Sequence, residues 1–426
     1  MSKNNGDSLS LNVHYLTRIE GHGNIVVEVR GGVLEQCKFE VTEAPRFFEA
    51  MMRGLPYAQA PLLASRICGI CAVAHTTTAV HAIEKALGVE VSRQTMLLRK
   101  LNYCGEMLDS HLLHIYMLVA PDLLGVGSVV PLAKSAPEVV GRALRMKKIA
   151  GDICAVVCGR HTHPIAMTIG GFTRYPSMEE LHDLSERLES MRADVDATVE
   201  LLQGLALPAF ERDTEYLALK CEDEYCFMNG SIGSTDGGVW PVEEYRQVTN
   251  EFLVAHSTAK HARNVRQSYM VGSLARFNLN YQQLHPKAKA AAAALNLSPK
   301  CTNPFMNTVA QLVEIVHCCE NAIEILRILT EEGVAWEQPV SPASLSGEGV
   351  GACEAPRGTL YHHYVIKAGN ITEANCIIPT AQNLANIEAD MRVIVPTLLE
   401  NPADRIRQSL EMLVRAYDPC VSCSVH

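Results

Sequence analysis

Positive charge is in short supply in this chain: 37 Lys and Arg stand against 47 Asp and Glu, a formal net charge of −10 at pH 7. Proteins that grip nucleic acid neutralise phosphates with clustered Lys and Arg, so this balance argues against non-specific nucleic-acid binding. Long apolar runs are missing too. The most apolar stretches, such as residues 112–120, are broken by His114 or stopped by Pro121, far short of the roughly 20 residues that cross a bilayer. A direct membrane span is therefore not expected. The first residues, Met1-Ser-Lys-Asn-Asn-Gly-Asp-Ser-Leu9, hold neither an apolar h-region nor a small-residue cleavage site, so export under a signal of its own is not expected either. Ser- or Gly-rich linkers, low-complexity tracts and internal repeats are also lacking, which excludes arrays and solenoids.

What the chain does have is cysteine. It carries 15, an odd number that cannot all pair within the chain. Without a secretion signal, reduced thiols and metal ligands are the expected forms. Charged residues make up only 20% of the sequence and hydrophobic ones 48%, a balance that predicts some surface covered by a partner subunit.

The element pattern predicts a mainly α (α+β) protein: a long central helix bundle with a small β element over about residues 10–45 and a helical core over about 57–426, together one domain spanning 1–426. Residues 24–30 and Val33–Val41 flank Gly31-Gly32, a hairpin signal because glycine tolerates the positive φ of primed turns. Residues 92–119 read as a helix of about 28 residues, roughly 42 Å long, ended by Pro121. Ser177 and Glu180 form a capping-box pattern ahead of Leu181, Leu184, Leu188, Met191 and Val195, a run that lasts to Gly204. Asn303-Pro304 opens a further helix to Gly333, and Asn401-Pro402 opens the last, which leads into Asp418-Pro419-Cys420.

Two Cys-x-x-Cys pairs stand at opposite ends: Arg66-Ile-Cys68-Gly-Ile-Cys71, with His75 four residues on, and Asp418-Pro-Cys420-Val-Ser-Cys423, with His426 last. Each spacing lets two sulfurs point at one ion, and two such turns supply four soft ligands. Spacing alone leaves structural zinc, a redox metal and unrelated buried cysteines open. The apolar setting of the first pair, and the closeness of the second to the C-terminus, favour a buried site joining both ends of the fold over a stapling knuckle.

From end to end the sequence resembles the large, catalytic subunit of nickel–iron hydrogenases. Five blocks carry the likeness: Arg18-Ile-Glu-Gly-His22, the two cysteine blocks, Gly159-Arg-His-Thr-His-Pro164, and Glu354-Ala-Pro-Arg-Gly358. The last block, with the following Thr359-Leu-Tyr-His-His-Tyr364 and Pro379-Thr-Ala-Gln-Asn383, looks most like the soluble cytoplasmic branch that feeds NAD(P), coenzyme F420 or a heterodisulfide-linked partner.

That resemblance implies reversible, heterolytic cleavage of H2 at a buried Ni-Fe centre whose iron carries CO and two cyanides. Cys68, Cys71, Cys420 and Cys423 would hold nickel, with Cys71 and Cys423 bridging to iron and Cys420 the first proton acceptor. Glu20 would relay the proton outward. Arg357, after Pro356, would hang over the metals, with Asp109 and Asp418 as candidate anchors. His75 would donate to a bridging thiolate; Pro379 and Thr380 would line the diatomic ligands. His426, Glu49 and a carbonyl near Cys376 would form a second cation site, usually Mg2+. His111 and His114 are core or proton-path candidates, and His161 and His163 would face the electron-transfer partner. Electrons have no carrier among these residues, so an iron–sulfur small subunit is implied, with further flavin or iron–sulfur subunits behind it and a cytoplasmic location. Family precursors are trimmed after the terminal histidine, so a chain stopping at His426 looks like the mature form. Cys154/Cys158, Cys221/Cys226 and Cys318-Cys319 are expected to be buried free thiols. The competing readings are a complex I-like scaffold subunit of a redox complex, whose relatives generally lack the paired cysteines, and a zinc-stapled one.

Overall fold

Residues 8–426 are described by a computed structural model. Its N-terminal sheet is the expected hairpin plus one strand: Ser8–Val13, Gly23–Arg30 and Val33–Val41, all antiparallel. Arg30 pairs with Val33, leaving Gly31 (φ +54°) and Gly32 (φ +75°) as a two-residue turn, which needs positive φ at both positions. Period-two alternation buries Ile25, Val27, Val29, Phe39 and Val41 on one face. Beyond this sheet the chain turns helical, first in the short Phe48–Met52 segment, and helices of all lengths make up 51% of the structure.

Four of these helices form the central pack: Arg93–Leu113, Pro137–Cys158, Met178–Gln203 and Asn307–Glu332. Ser92 caps the first through a bond from the Thr95 N–H, and Ser177 and Glu180 form the full capping box of the third. Asn307–Glu332 is buried on nearly every side along its first half, including Gln311 and Glu314, so its polar groups must find partners inside the protein.

The expected stop at Pro121 does not occur. Residues His114–Val119 widen into a π-helical turn, and Ala120–Leu123 continues as α-helix. The wider turn puts Pro121 in the first turn of the new segment, where its missing N–H costs no bond.

Strands are also not confined to the N-terminal element. Gly347–Ala355, Gly358–Lys367 and Asn370–Ile377 form a second antiparallel sheet. A third sheet assembles Glu215–Lys220, Ser231–Ser234, Val239–Trp240 and Tyr269–Met270. Glu215–Lys220 and the first two strands of the second sheet are buried on both faces over long stretches, which erases the alternation that marks a half-exposed strand.

The second sheet positions the site. Its first strand lies directly on the Ala72–Leu87 helix, because Gly347, Gly349 and Gly351 present bare backbone to that helix at every second position. A Cβ at Gly349 would stand 2.2 Å from the Ala82 carbonyl oxygen, and one at Gly351 2.3 Å from that of Thr78. Gly349→Ala is expected to destabilise the protein by about 3 kcal/mol, at the upper end of overpacking losses, read as a lowered thermal midpoint. An unchanged midpoint would mean the strand can lift off without cost.

Candidate metal centre

The Ala72–Leu87 helix begins immediately after Cys71, its N-cap residue, and Cys68 follows a 3-10 turn at Ser65–Ile67. The second pair follows the Ala403–Ala416 helix, with Cys423 opening a last 3-10 turn. The four sulfurs come together: all lie within 4.8 Å of one another, all are buried, and Cys68 Sγ is 3.6 Å from Cys420 Sγ. Arg46 ties the two turns, its Nη2 donating to the carbonyls of Ile67 (2.7 Å) and Ser422 (2.6 Å).

Charge at the cluster is unevenly held. Hydrogen bonds from Cys420, Cys423 and Cys71 hold the Cys68 thiol well below its usual range. Its sulfur also accepts the backbone N–H groups of Ile70 (3.2 Å) and Cys71 (3.3 Å). Burial pushes Cys420 well up and Cys423 up to about 11. Four such thiols cannot all ionise in a dry pocket without a cation among them; with one, four soft sulfurs at this spacing are a fitting donor set for a thiophilic metal.

Glu20 reaches the cluster from the N-terminal segment. The Cys420 thiol donates to its Oε2 at 3.0 Å, the Ser422 N–H donates to the same oxygen at 3.1 Å, and the Ser422 hydroxyl donates to Oε1. Backbone pairing fixes this placement, with the Val421 N–H on the Glu20 carbonyl at 2.8 Å. Gly21 (φ +84°) allows the approach, since a Cβ there would sit 2.7 Å from the Ser422 nitrogen.

Arg357 enters from the opposite side. Ala355 pairs with Gly358, so Pro356 and Arg357 are the two-residue tip of a hairpin. The guanidinium is buried; Nε donates to the Asp418 carbonyl (2.7 Å), one Nη to Asp418 Oδ1 (2.9 Å), and the other reaches Ser110 Oγ (3.5 Å). Asp418 thus contacts Arg357, and Asp109 does not. Asp109 Oδ1 pairs instead with Lys147 Nζ at 2.6 Å on the helix's outer side. One residue is about 100° of helix, and that rotation gives the inward position to Ser110.

Behind the hairpin lies a buried charge cluster in which only Glu354 belongs to a sequence block. Arg276 donates to Glu354 (3.0 Å), to Glu314 (2.6 and 2.7 Å) and to the carbonyls of Ala355 (2.9 Å) and Pro356 (3.0 Å). His111 Nε2 lies 2.8 Å from Glu314, while His114 bridges Gln311 and the Arg415 carbonyl, and Gln311 donates to Asp418 Oδ2 at 3.1 Å. Both histidines are buried one contact away from the support of Arg357: His111 on Glu314, which binds Arg276, and His114 on Gln311, which binds Asp418. Glu106 is a further residue the sequence does not signal: it accepts the Val73 and Ala74 N–H groups, occupying the N-terminus of the helix that follows Cys71. None of these contacts has a local signature, since the partners are far apart in the chain.

The remaining expected residues fall as follows. Pro379 opens the Pro379–Leu398 helix, and Thr380 Oγ1 accepts the Cys420 N–H at 2.9 Å. His75 Nδ1 lies 3.1 Å from His362 Nε2, and burial pushes His75 down to about 4. Glu49, Cys376 and His426 do meet: Glu49 Oε1 accepts the Cys376 N–H (2.7 Å), and His426 Nε2 is 2.8 Å from the Cys376 carbonyl and 3.6 Å from Glu49 Oε1. His163 Nδ1 lies 2.8 Å from the Ser65 carbonyl, while His161 is exposed beside Asp152. All fifteen cysteines are unpaired; Cys154, Cys158, Cys226, Cys318 and Cys319 are buried, whereas Cys221 is only half-buried.

The family model described as nickel-dependent hydrogenase matches residues 46–140 and 240–426. This chain belongs to the nickel-dependent hydrogenase family, as its catalytic large subunit. It is 34% identical over 425 residues to the sulfhydrogenase 1 subunit alpha of Pyrococcus furiosus, covering 98% of each chain. It is 28% identical to the NAD-reducing hydrogenase HoxS subunit beta of Cupriavidus necator, covering 98% of this chain and 95% of that one. A crystal structure of an NAD+-reducing NiFe-hydrogenase in its H2-reduced state superposes with a TM-score of 0.87 at 26% identity, covering 98% of this chain and 99% of that one. The reduced Ni-Fe-Se hydrogenase of D. vulgaris Hildenborough (TM-score 0.77, 22% identity, 98% and 99% covered) shares the fold. The mostly helical body with small sheets is the large-subunit fold of this family, and the four cysteines form a buried group that could hold a metal ion.

Proposed function

We propose that this chain catalyses H2 ⇌ 2H+ + 2e− at a Ni-Fe centre held by Cys68, Cys71, Cys420 and Cys423. Cys71 and Cys423 would bridge nickel to an iron carrying CO and two cyanides, and Cys68 and Cys420 would bind nickel alone. The observation that carries the reading is the Glu20 carboxylate 3.0 Å from the Cys420 sulfur, within a closed set of four buried thiols. When bound, the metal pair supplies the Lewis acidity and redox capacity that take the electron pair of H2.

The residues supply the proton path. Cys420 Sγ accepts the proton, and Glu20 Oε2, already within hydrogen-bond reach, takes it over. Ser422 and Glu20 are both only half-buried, so the carboxylate connects the interior to the outside. Arg357, held by Asp418 and Ser110, supplies a fixed positive charge over the cluster. Because Thr380 Oγ1 accepts from Cys420, its own proton would be free to donate to a cyanide; Pro356 and Pro379 would give the pocket an apolar lining. His75 would tune a bridging thiolate from one helical turn away. Glu49, the Cys376 carbonyl and His426 would bind a divalent cation, usually Mg2+; two oxygens suit that ion, and an imidazole is a less usual ligand for it.

The electrons need a carrier, and an iron–sulfur small subunit fits that need, with flavin or iron–sulfur subunits beyond it. Its docking face would include Leu62, Ile165 and the 159–164 loop, which joins the Cys68 turn through His163 and Ser65. Among the described residues no helix is long and apolar enough to cross a membrane. Fifteen unpaired thiols fit a reducing, cytoplasmic compartment. Counting nickel, iron and zinc per chain in the purified complex tests the reading, with iron corrected for clusters in any partner. One nickel per chain is expected, lost in Cys420→Ser; stoichiometric zinc without nickel would overturn it.

A further inference from the structure

Among the described residues, one other group of three side chains able to ligate a metal converges away from the four cysteines: His256, His261 and Glu388, whose ligand atoms lie within 4.8 Å of one another. The two histidines come from the loop between the Tyr245–Thr249 helix and the Tyr269–Met270 strand. An antiparallel bridge, with Phe252 and His261 exchanging backbone bonds at 2.8 and 2.9 Å, closes that loop and turns His261 inward. Glu388 comes from the Pro379–Leu398 helix. The backbone alone therefore brings three ligands from two distant segments to one point.

His261 is the decisive member of the group. The residue is 2% exposed, yet neither of its ring nitrogens has a hydrogen-bond partner. Buried imidazole nitrogens are nearly always satisfied, and such a pair suits a ligand such as an ion. Its Nε2 faces Glu388 Oε1 at 3.8 Å, too long for a hydrogen bond and close to the separation of two ligands on one ion. Zinc bonds of about 2.0–2.1 Å place tetrahedral ligand atoms about 3.3 Å apart. His256 Nε2 is 2.6 Å from the same oxygen, a hydrogen bond that would open by about 0.7 Å as both atoms turn to a shared cation.

Glu388 is already oriented for this. Its Oε1 accepts the Phe39 N–H at 3.1 Å and its Oε2 lies 4.0 Å from Arg392 Nη2, the kind of outer contacts that fix a ligating carboxylate. We propose that His256, His261 and Glu388 bind a divalent ion of the zinc class, separate from the four-cysteine centre and from the Glu49–Cys376–His426 group. Two imidazoles and one carboxylate select a borderline ion over Mg2+ or Ca2+. The fourth position falls to water, because His256 is the ligand nearest solvent, with 18% of its side chain exposed. The ion's work is structural. It joins the 250–268 loop and the N-terminal sheet to the helix whose first turn places Thr380 against Cys420.

The test is a difference measurement on the purified complex, equilibrated with Zn2+ and freed of loose metal on a chelating resin. Wild-type protein is expected to keep one zinc per chain more than His256→Gln or His261→Gln, with nickel per chain equal in all three. His256→Gln keeps a hydrogen-bonding side chain at a partly exposed position, so it is expected to fold even if His261→Gln does not. Removing zinc with a chelator should lower the thermal midpoint of wild type and leave that of His256→Gln unmoved. Equal zinc in wild type and His256→Gln, or no retained zinc in wild type, overturns the proposal. The comparison concerns zinc lost with a histidine, so its outcome is independent of whether the four-cysteine centre is assigned correctly.

Discussion

Glu20→Gln is expected to reduce H2 turnover by a factor on the order of 10²–10⁴, the usual weight of a positioned acid–base group, while nickel and iron per chain stay at the wild-type level. The amide preserves the shape of the side chain and can still bond Ser422, so the N-terminal segment keeps its place on the 420–422 turn. What it loses is an oxygen able to receive the proton that Cys420 now donates at 3.0 Å. The measurement is H2-dependent reduction of an artificial electron acceptor, which does not require the physiological partner chain to be identified. It is paired with metal analysis on the same preparation. Full turnover in the amide variant would remove Glu20 from the proton path, and loss of nickel would show that it is a structural prop of the second cysteine turn.

Arg276→Met should have the largest effect on stability, about 3–5 kcal/mol, because it leaves two carboxylates buried without their cation. Burial by itself would raise Glu314; the Arg276 guanidinium and the hydrogen bonds from Arg276 and His111 overcome that and hold it well below the usual range. Glu354 is raised, its burial only partly offset by Arg276. Without the guanidinium both acids would be raised in the folded state. A folded-state pKa above the unfolded one stabilises at low pH and loses that contribution as pH rises through it. The deficit of Arg276→Met is therefore expected to be larger at about pH 8 than at about pH 5.5, read from thermal midpoints against wild type. Nickel retention should fall as well, since Arg276 holds the Ala355 and Pro356 carbonyls of the hairpin that presents Arg357. A deficit that does not change with pH would mean the two acids find other partners. A Glu354→Gln change added to Arg276→Met should recover part of the loss, because the uncharged amide removes one of the stranded charges.

How much of this could be read from the residues alone depends on the range of the interaction. The Gly31-Gly32 hairpin, the Ser92 and Ser177 caps and the spacing within each cysteine pair are set by neighbours a few positions apart, and the sequence carries them openly. The choice of Asp418 over Asp109 shows the boundary. Asp418 lies two residues from Cys420, so it shares the turn that builds the site, whereas Asp109 is separated from its expected role by one step of helical rotation. The phase of a helix against its surroundings is decided by packing on all sides, and the Arg93–Leu113 helix is too thoroughly buried for its apolar pattern to fix that phase.

The inner sheet is hidden for a related reason. Gly347, Gly349 and Gly351 look like loop residues in the sequence, and only the neighbouring Ala72–Leu87 backbone explains why side chains are excluded there. The thiol set, the Glu20 and Arg357 blocks and the caps of the long helices were all legible without coordinates, since each is written in a short window of residues. Tertiary structure decided that the four sulfurs stand within 4.8 Å of one another, that Arg276 supports the Arg357 hairpin, and that His256 and His261 face Glu388. Those meetings join groups far apart along the chain, and burial makes each of them costly unless the partner arrives.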